Sequence, residues 1–320
     1  MKLAFILDPL DTLNPRKDSS YAMMLEAHAR QHQIYVLQQG DIIWRSGVVT
    51  GFARKLDFVD PSIRGNVWYQ QEERQELALA EFDAVLMRKD PPFDMEYVYS
   101  TYLLELAEEQ GAFVINRPRA IRDHNEKLAI MEFAPFIPPS LVTRQEALIR
   151  DFLAEYKDII LKPLDGMGGA SIFRVHSTDH NIGVIIETLT HYGTRTIMVQ
   201  RFLPEIVEGD KRILLIAGQP VAQALARKPK PGETRGNLAA GGTGIAQPLS
   251  PRDREIAEML GEILYRRGLM LVGLDVIGDY VTEINVTSPT GMQEITVQSG
   301  INVAGLMIDA LENSIRIRNT

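Results

Sequence analysis

Short apolar runs alternate with helically spaced stretches through the first third of the chain. Leu3 to Leu7 is an apolar run that stops at Asp8, Ser19 to Arg30 carries helical spacing, and Ile34 to Leu37 reads as a strand again. Ala84 to Met87 and Ala112 to Ile115 repeat the strand pattern on either side of a helix over Met95 to Glu109, with Gly111 placed to end it. This alternation predicts an open α/β sheet with parallel pairing through crossovers. Ligands of such sheets gather beyond the carboxyl ends of the strands. Asp8 follows one such end, and Arg88, Lys89 and Asp90 follow another.

From about Asp123 the pattern changes to short helices and β-rich stretches, punctuated by Pro135, Pro138 and Pro139. A domain boundary is expected there. Strands are predicted at Ile159 to Lys162, Ile172 to Val175, Thr196 to Phe202, Ile213 to Ala217, Val221 to Ala226, Leu271 to Ile277 and Val281 to Asn285, close enough together to pair antiparallel. A last helix over Ile301 to Ile315 puts Ile301, Ala304, Ile308, Leu311 and Ile315 on one apolar stripe.

The 320 residues are 45% hydrophobic and 24% charged, an ordinary globular balance whose length suits two or three domains. A net charge of -8 with no Lys/Arg-rich run argues against nucleic acid as a partner and leaves small molecules. No stretch is apolar for long enough to predict a membrane helix, and Asp8 comes too early for a signal peptide, so a cytoplasmic protein is expected. The absence of cysteine rules out disulfides, thiolate zinc sites and a Cys nucleophile.

The strongest local signal is ILKPLDGMGGASIF, in which a strand ending at Lys162 runs into Gly166, Gly168 and Gly169 before a second strand resumes. Glycines let backbone N–H groups converge on an anion, and an ammonium group adds a full charge. The lysine precedes the glycines and a strand follows them, unlike a Walker A loop. A hairpin with a glycine-rich turn and an incidental lysine is the competing reading. Further on, Asp275 lies on LMLVGLDVIG, and Glu283 and Asn285 lie two apart on VTEINVTSP. The period of a strand puts Glu283 and Asn285 on one face, and a three-residue turn (Gly278, Asp279, Tyr280) would set Asp275 opposite Glu283. An all-oxygen set of this kind suits Mg²⁺, and a solvated polar hairpin is the alternative.

Arg212 and Arg227 fall on neighbouring predicted strands, where fixed guanidinium groups could stabilise charge on a transferring phosphoryl group. Surface ion pairs are the plainer possibility. The glycine- and proline-rich segment 228–244 predicts a long loop, best read as a lid that excludes water, with Arg235 able to reach a phosphate. His28 and His32 have helical spacing but no third ligand, and no Ser/His/Asp grouping stands out.

A lysine before a glycine-rich turn, followed over a hundred residues later by Asp and then Glu-x-Asn, resembles the ATP-grasp fold. RKDPPFD, RDHNEKL, LKPLDGMGGASIFRV, GDKR, GETRGNLAAGG and TEINVTSPTG together resemble the bacterial glutathione synthetase family nearly end to end. One departure is Thr243, where members of that family often carry arginine after AAGG.

The resemblance implies a mixed α/β and α+β architecture: an N-terminal α/β substrate-binding domain over 1–122, a central ATP-grasp subdomain over 123–200, and a catalytic subdomain over 201–320 that includes loop 228–244. It implies an ADP-forming ligase that phosphorylates the cysteinyl carboxylate of γ-glutamylcysteine and lets glycine displace the phosphate. On that mapping Lys127, Lys162 and the glycine turn hold ATP phosphates, Gln200, Arg201, Phe202 and Leu203 form the hinge against adenine, and Asp210 contacts ribose. Asp275, Glu283 and Asn285 hold Mg²⁺, with Mn²⁺ an alternative ion. Arg212, Arg227 and Arg235 steady the transferring groups, and Ser288, Pro289 and Thr290 lie near the acceptor or peptide. Asp8, Ser19, Arg88 and Asp90 line the peptide pocket. A homotetramer is also implied. The rival within the fold is a D-alanine ligase or a protein-tail glutamate ligase.

Overall fold

The computed structural model describes residues 1–59, 67–166, 168–238, 241–318 and 320. Residue 167 of the glycine-rich motif and residues 239 and 240 of the long-loop motif therefore lie outside the described residues.

The first sheet starts with β1 (Lys2–Ile6), β2 (Gln33–Leu37), β3 (Ile42–Arg45), β4 (Val48–Phe58), β5 (Tyr69–Gln71), β6 (Gln75–Ala78), β7 (Ala84–Met87) and β8 (Val114–Ile115). Its order is β3-β4-β2-β1-β7-β8, with β5 and β6 also on β4. The pairs β1/β2, β1/β7 and β7/β8 are parallel, as the alternation predicts, whereas β4 runs antiparallel to β2 and makes the sheet mixed. The long β4 does not announce itself in the sequence because Gly51 and Ala53 fill buried positions, so the apolar alternation is faint. Helices α1 (Ser19–Ala29) and α2 (Met95–Glu109) are capped by Asp18 and Asp94, whose carboxylates accept from Tyr21 N and Tyr97 N. A short α3 (Pro118–Asp123) leads out of this sheet.

The second sheet contains β9 (Ser140–Thr143), β10 (Asp158–Pro163), β11 (Phe173–His176) and β12 (Ile197–Arg201), all antiparallel in the order β11-β10-β12-β9. It packs against α4 (Glu146–Tyr156) and α5 (Ile182–Thr190) around its own core of Ile149, Leu153, Ile159, Leu161, Ile186 and Val199.

The third sheet comprises β13 (Asp210–Ile216), β14 (Gln219–Pro220), β15 (Gln223–Lys228), β16 (Thr243–Pro248), β17 (Leu271–Ile277) and β18 (Tyr280–Asn285) in the order β16-β15-β13-β17-β18, with β14 on β13. It is backed by α6 (Pro251–Arg266), α7 (Met292–Ser299) and α8 (Val303–Arg318). The final helix begins at Val303 rather than Ile301 and buries Ala304, Ile308, Leu311 and Ile315 in a core shared with α1. Its solvent-facing acids Asp309 and Glu312 pair with Arg30 and His32.

Two local expectations need correction. Strand β16 occupies the end of the segment expected to be loop: it pairs with β15 from Lys228↔Thr243 to Gln223↔Pro248, as an edge strand too exposed to carry an apolar signature. The β17/β18 turn holds two residues, Gly278 and Asp279, because Ile277 pairs with Tyr280 and Val276 with Val281. Tyr280, expected in the turn, is the first paired residue of β18; the extra residue is taken up instead by a bulge at Thr282, which restores Asp275↔Glu283.

Candidate active site

The second and third sheets face each other across a cavity of about 350 Å³. Lys162, Gln200, Asp210, Arg212, Arg227, Arg235, Asp275, Glu283 and Asn285 all contribute to its walls, as do Gly166, Gly168, Gly169, Arg201, Phe202, Leu203, Asp90, Ser288, Pro289 and Thr290. Residues more than a hundred apart in sequence thus share one space.

Lys162 reaches the cavity from the end of β10, where a hairpin with a glycine-rich turn does form. The lysine is not incidental to that hairpin. Its buried Nζ donates to Thr282 O at 3.1 Å and lies 3.8 Å from Glu283 Oε1, so the bulge that fixes the carboxylate register also presents the carbonyl that anchors the lysine. Lys127 lies just behind the wall, fully buried, donating to Gly166 O at 2.8 Å, paired with Glu126 and 3.8 Å from Glu283. Its segment is pinned to β18 by Ile284 N donating to Glu126 O at 2.8 Å. Burial pulls the Lys162 ammonium below its ordinary pKa despite Glu283. Burial also opposes the Lys127 charge, but Glu283 and Glu126 outweigh it and raise that group.

Arg212 grips Asp275 with two bonds, Nε to Oδ1 at 2.5 Å and an η nitrogen to Oδ2 at 3.0 Å, and Arg227 reaches the same Oδ2 at 2.9 Å. Burial alone would raise Asp275; the two guanidinium groups overcome it and hold the carboxyl well below the usual range. Arg227 also takes Asp210 Oδ2 at 2.5 Å, while Asp210 Oδ1 is buried without a hydrogen bond. Burial, only partly offset by Arg227 and reinforced by Asp275 and Glu283, pushes the Asp210 carboxyl up to about 7.

The oxygen set is compatible with a hard divalent cation. Asn285 donates its Nδ2 to Gly273 O at 3.2 Å, so its Oδ1 remains available beside Glu283, whereas Asp275 already accepts from two arginines. Four cations (Lys127, Lys162, Arg212 and Arg227) face four carboxylates (Glu126, Asp210, Asp275 and Glu283). A polyphosphate entering this balanced cluster brings charge that a cation must offset.

The long loop closes over the glycine turn. Arg235 donates to Gly169 O at 3.3 Å and to Glu233 Oε2 at 2.6 Å. Gly169 has φ +82°, and a Cβ there would meet Asn237 Oδ1 at 2.7 Å, so both its conformation and the loop's approach require glycine. Gln200 donates to Ser140 Oγ at 3.0 Å, leaving Arg201, Phe202 and Leu203 along one end of the cavity with Ile160, Ile206 and Ile277.

The N-terminal residues divide. Asp90 reaches the cavity, accepts from Ser288 Oγ and donates its N–H to Asp8 Oδ2 at 3.0 Å. Asp8, Ser19 and Arg88 stand behind the wall. Asp8 pairs with Lys89 at 2.8 Å, and Ser19 Oγ accepts from Met292 N at 3.3 Å. Buried Arg88 donates to Ser20 Oγ and Pro289 O, both at 3.0 Å, which holds the Ser288–Thr290 segment in place. Sequence reasoning overlooked Glu126, although it adjoins Lys127 in RDHNEKL, and Thr282, whose contribution is a carbonyl that no residue type advertises.

The family described as "Prokaryotic glutathione synthetase, N-terminal domain" matches residues 1–122, and "Prokaryotic glutathione synthetase, ATP-grasp domain" matches residues 126–300. A glutathione synthetase of Nitrosomonas europaea is 73% identical over all of both chains, and one of Pseudomonas aeruginosa is 52% identical over 99% of each. Among solved structures, the D-cycloserine synthetase DcsG superposes with TM-score 0.67 at 15% identity, covering 98% of this chain and 100% of its own. The ATP-grasp ligase PsnB, complexed with a minimal precursor, Mg and ADP, gives 0.63 at 19% identity over 98% of each chain. At such identities these two speak for the fold alone.

Proposed function

Because this chain belongs to the prokaryotic glutathione synthetase family, and so is an ATP-dependent ligase, we propose that it joins γ-glutamylcysteine to glycine through an acyl phosphate formed in the cavity between its second and third sheets. A carboxylate at neutral pH is not an electrophile. Transfer of the γ-phosphoryl group breaks its P–O bond to the departing ADP and gives a mixed anhydride with the cysteinyl carboxylate; glycine's amine then forms the new C–N bond and gives up a proton as the C–O bond to phosphate breaks. No protein nucleophile is needed. Positioning and electrostatics carry such a transfer.

The single observation behind this reading is the convergence of Lys127 and Lys162 on Glu283, each at 3.8 Å, beside the Arg212–Asp275–Arg227 cluster. The lysines and the turn at Gly166, Gly168 and Gly169 hold the phosphates, Gln200 to Leu203 flank adenine, and the free Oδ1 of Asp210 takes a ribose hydroxyl. Arg212 and Arg227 steady the transferring oxygens, and Arg235 closes the lid. Glu283 and Asn285, with a remaining lone pair of Asp275, would hold Mg²⁺ or Mn²⁺, which when bound offsets phosphate charge. Asp90, Ser288, Pro289 and Thr290 meet the peptide or acceptor, with Asp8, Ser19 and Arg88 supporting them. The three-part division at 1–122, 123–200 and 201–320 belongs to this proposal, as do a cytoplasmic location and a homotetramer, which sedimentation would test. No helix among the described residues is long and apolar enough to cross a membrane.

The deciding experiment measures phosphate release by purified protein with ATP and Mg²⁺, supplying γ-glutamylcysteine and glycine together and omitting each in turn. Release that requires both supports the reading. Release that needs D-alanine or a glutamate-tailed peptide would move the chain to another ligase of the same fold.

A further inference from the structure

Phe202 forms part of the cavity wall, and the guanidinium carbon of Arg174 lies over its ring, 3.6 Å from the centroid. Arg174 stands on β11, outside the cavity. Its guanidinium does not float: Nε donates to Asp158 Oδ1 at 3.0 Å and an η nitrogen to Asp158 Oδ2 at 2.7 Å, a two-bond fork that fixes the plane of the group. Asp158 also accepts the Phe202 N–H through its own carbonyl at 3.0 Å. One residue therefore holds the backbone of Phe202 and, through Arg174, the outer face of its ring.

We propose that Arg174, gripped by Asp158, is a positioning residue that presses the Phe202 ring into the nucleotide cavity and so sets affinity for the purine base. The inference rests on the reading that Gln200 to Leu203 lie against adenine. An aromatic ring free to rotate would present the base with a shifting wall and would lose ordering entropy on each binding event. A ring held from behind is already placed. The side chain of Arg174 meets Asp158 and the Phe202 ring and lies outside the cavity that holds the carboxylate cluster, so its effect belongs in nucleotide binding and not in the chemical step.

The test is a double-mutant cycle between Arg174→Ala and Phe202→Ala, reading KM for ATP, kcat, and ADP affinity by calorimetry in the full-length enzyme, with melting temperature as a folding control. Expected is a rise of about three- to fivefold in KM for ATP and in the ADP dissociation constant for Arg174→Ala, with kcat changed less, as loss of a partly exposed cation–ring contact would give. In the Phe202→Ala background the same substitution should add little. Arg174→Lys, which keeps the cation and loses the fork, should fall between. An Arg174→Ala effect equally large in both backgrounds, or none in the wild type while Phe202→Ala weakens ATP, would overturn this proposal and leave the hinge reading standing. Phe202→Ala with unchanged nucleotide affinity would overturn both.

Discussion

A single added methyl group on the lid tests whether closure is needed for coupled turnover. A Cβ built on Gly236 would lie 2.3 Å from Arg227 O and 3.1 Å from Asp210 Cβ. Restoring an ordinary contact of 3.4 Å to that carbonyl means moving the loop by about 1 Å, because the obstacle is strand backbone that cannot turn aside. Misplacement of about 1 Å around reacting groups can cost about 10²-fold in rate. Gly236→Ala is therefore expected to lower kcat by roughly 10²-fold. Global stability should change by less than about 1 kcal/mol, since alanine in a loop also restricts the unfolded chain.

The informative assay follows glutathione and phosphate in parallel. An acyl phosphate left open to water hydrolyses, so the variant should release more than one phosphate per glutathione while the wild type stays near parity. Wild-type turnover with full coupling in Gly236→Ala would refute the argument that the loop must dock on Arg227 and Asp210 before chemistry.

Glu283→Gln keeps volume but removes the charge facing the buried Lys127 and Lys162, so turnover should drop by at least about 10²-fold and demand more Mg²⁺, with some loss of melting temperature because two buried ammonium groups lose a partner; equal activity would count against the metal assignment. Asp210 binds its proton more tightly folded than unfolded, with its pKa raised from 3.8 to about 7 mainly by burial. Between those values the folded state holds more protons, so the unfolding free energy of the metal- and nucleotide-free protein should gain a component that falls as pH rises, levelling off above about 7. Urea titrations across that range should show this component lost in Asp210→Asn; an unchanged slope would assign it elsewhere. Asn116→Ala removes two donations, to Leu271 O at 2.7 Å and Val286 O at 2.8 Å, and one acceptance, from Leu271 N at 2.9 Å. These bonds tie the first sheet to the third, and their loss should cost about 3 kcal/mol in urea unfolding. A cost under about 1 kcal/mol would mean that water replaces the side chain.

Much of the molecule is legible in the sequence alone. Apolar runs fix β1, β2 and β7 and helical spacing places α2 at Met95–Glu109, because these are properties of residue type and local spacing, whereas the ATP-grasp ligase is read from the resemblance of the motifs to a known family. The residues that period could not reveal are those whose role depends on a distant neighbour. Gly51 and Ala53 are core positions in β4 only because other elements cover them. Thr282 anchors Lys162 through a carbonyl exposed by a bulge, and the turn length that a simple hairpin would require proved to be two residues instead of three.

Which chemistry is available was thus written in side-chain identity, but how its charges are shared was not. Arg212 and Arg227 could have been surface partners of any acid; folding puts both on Asp275, which keeps that carboxyl ionised and leaves Asp210 with an unbonded oxygen. Ionisation follows burial and the distance between charges. Both are fixed only when sheets formed by separate stretches of chain come to face one another.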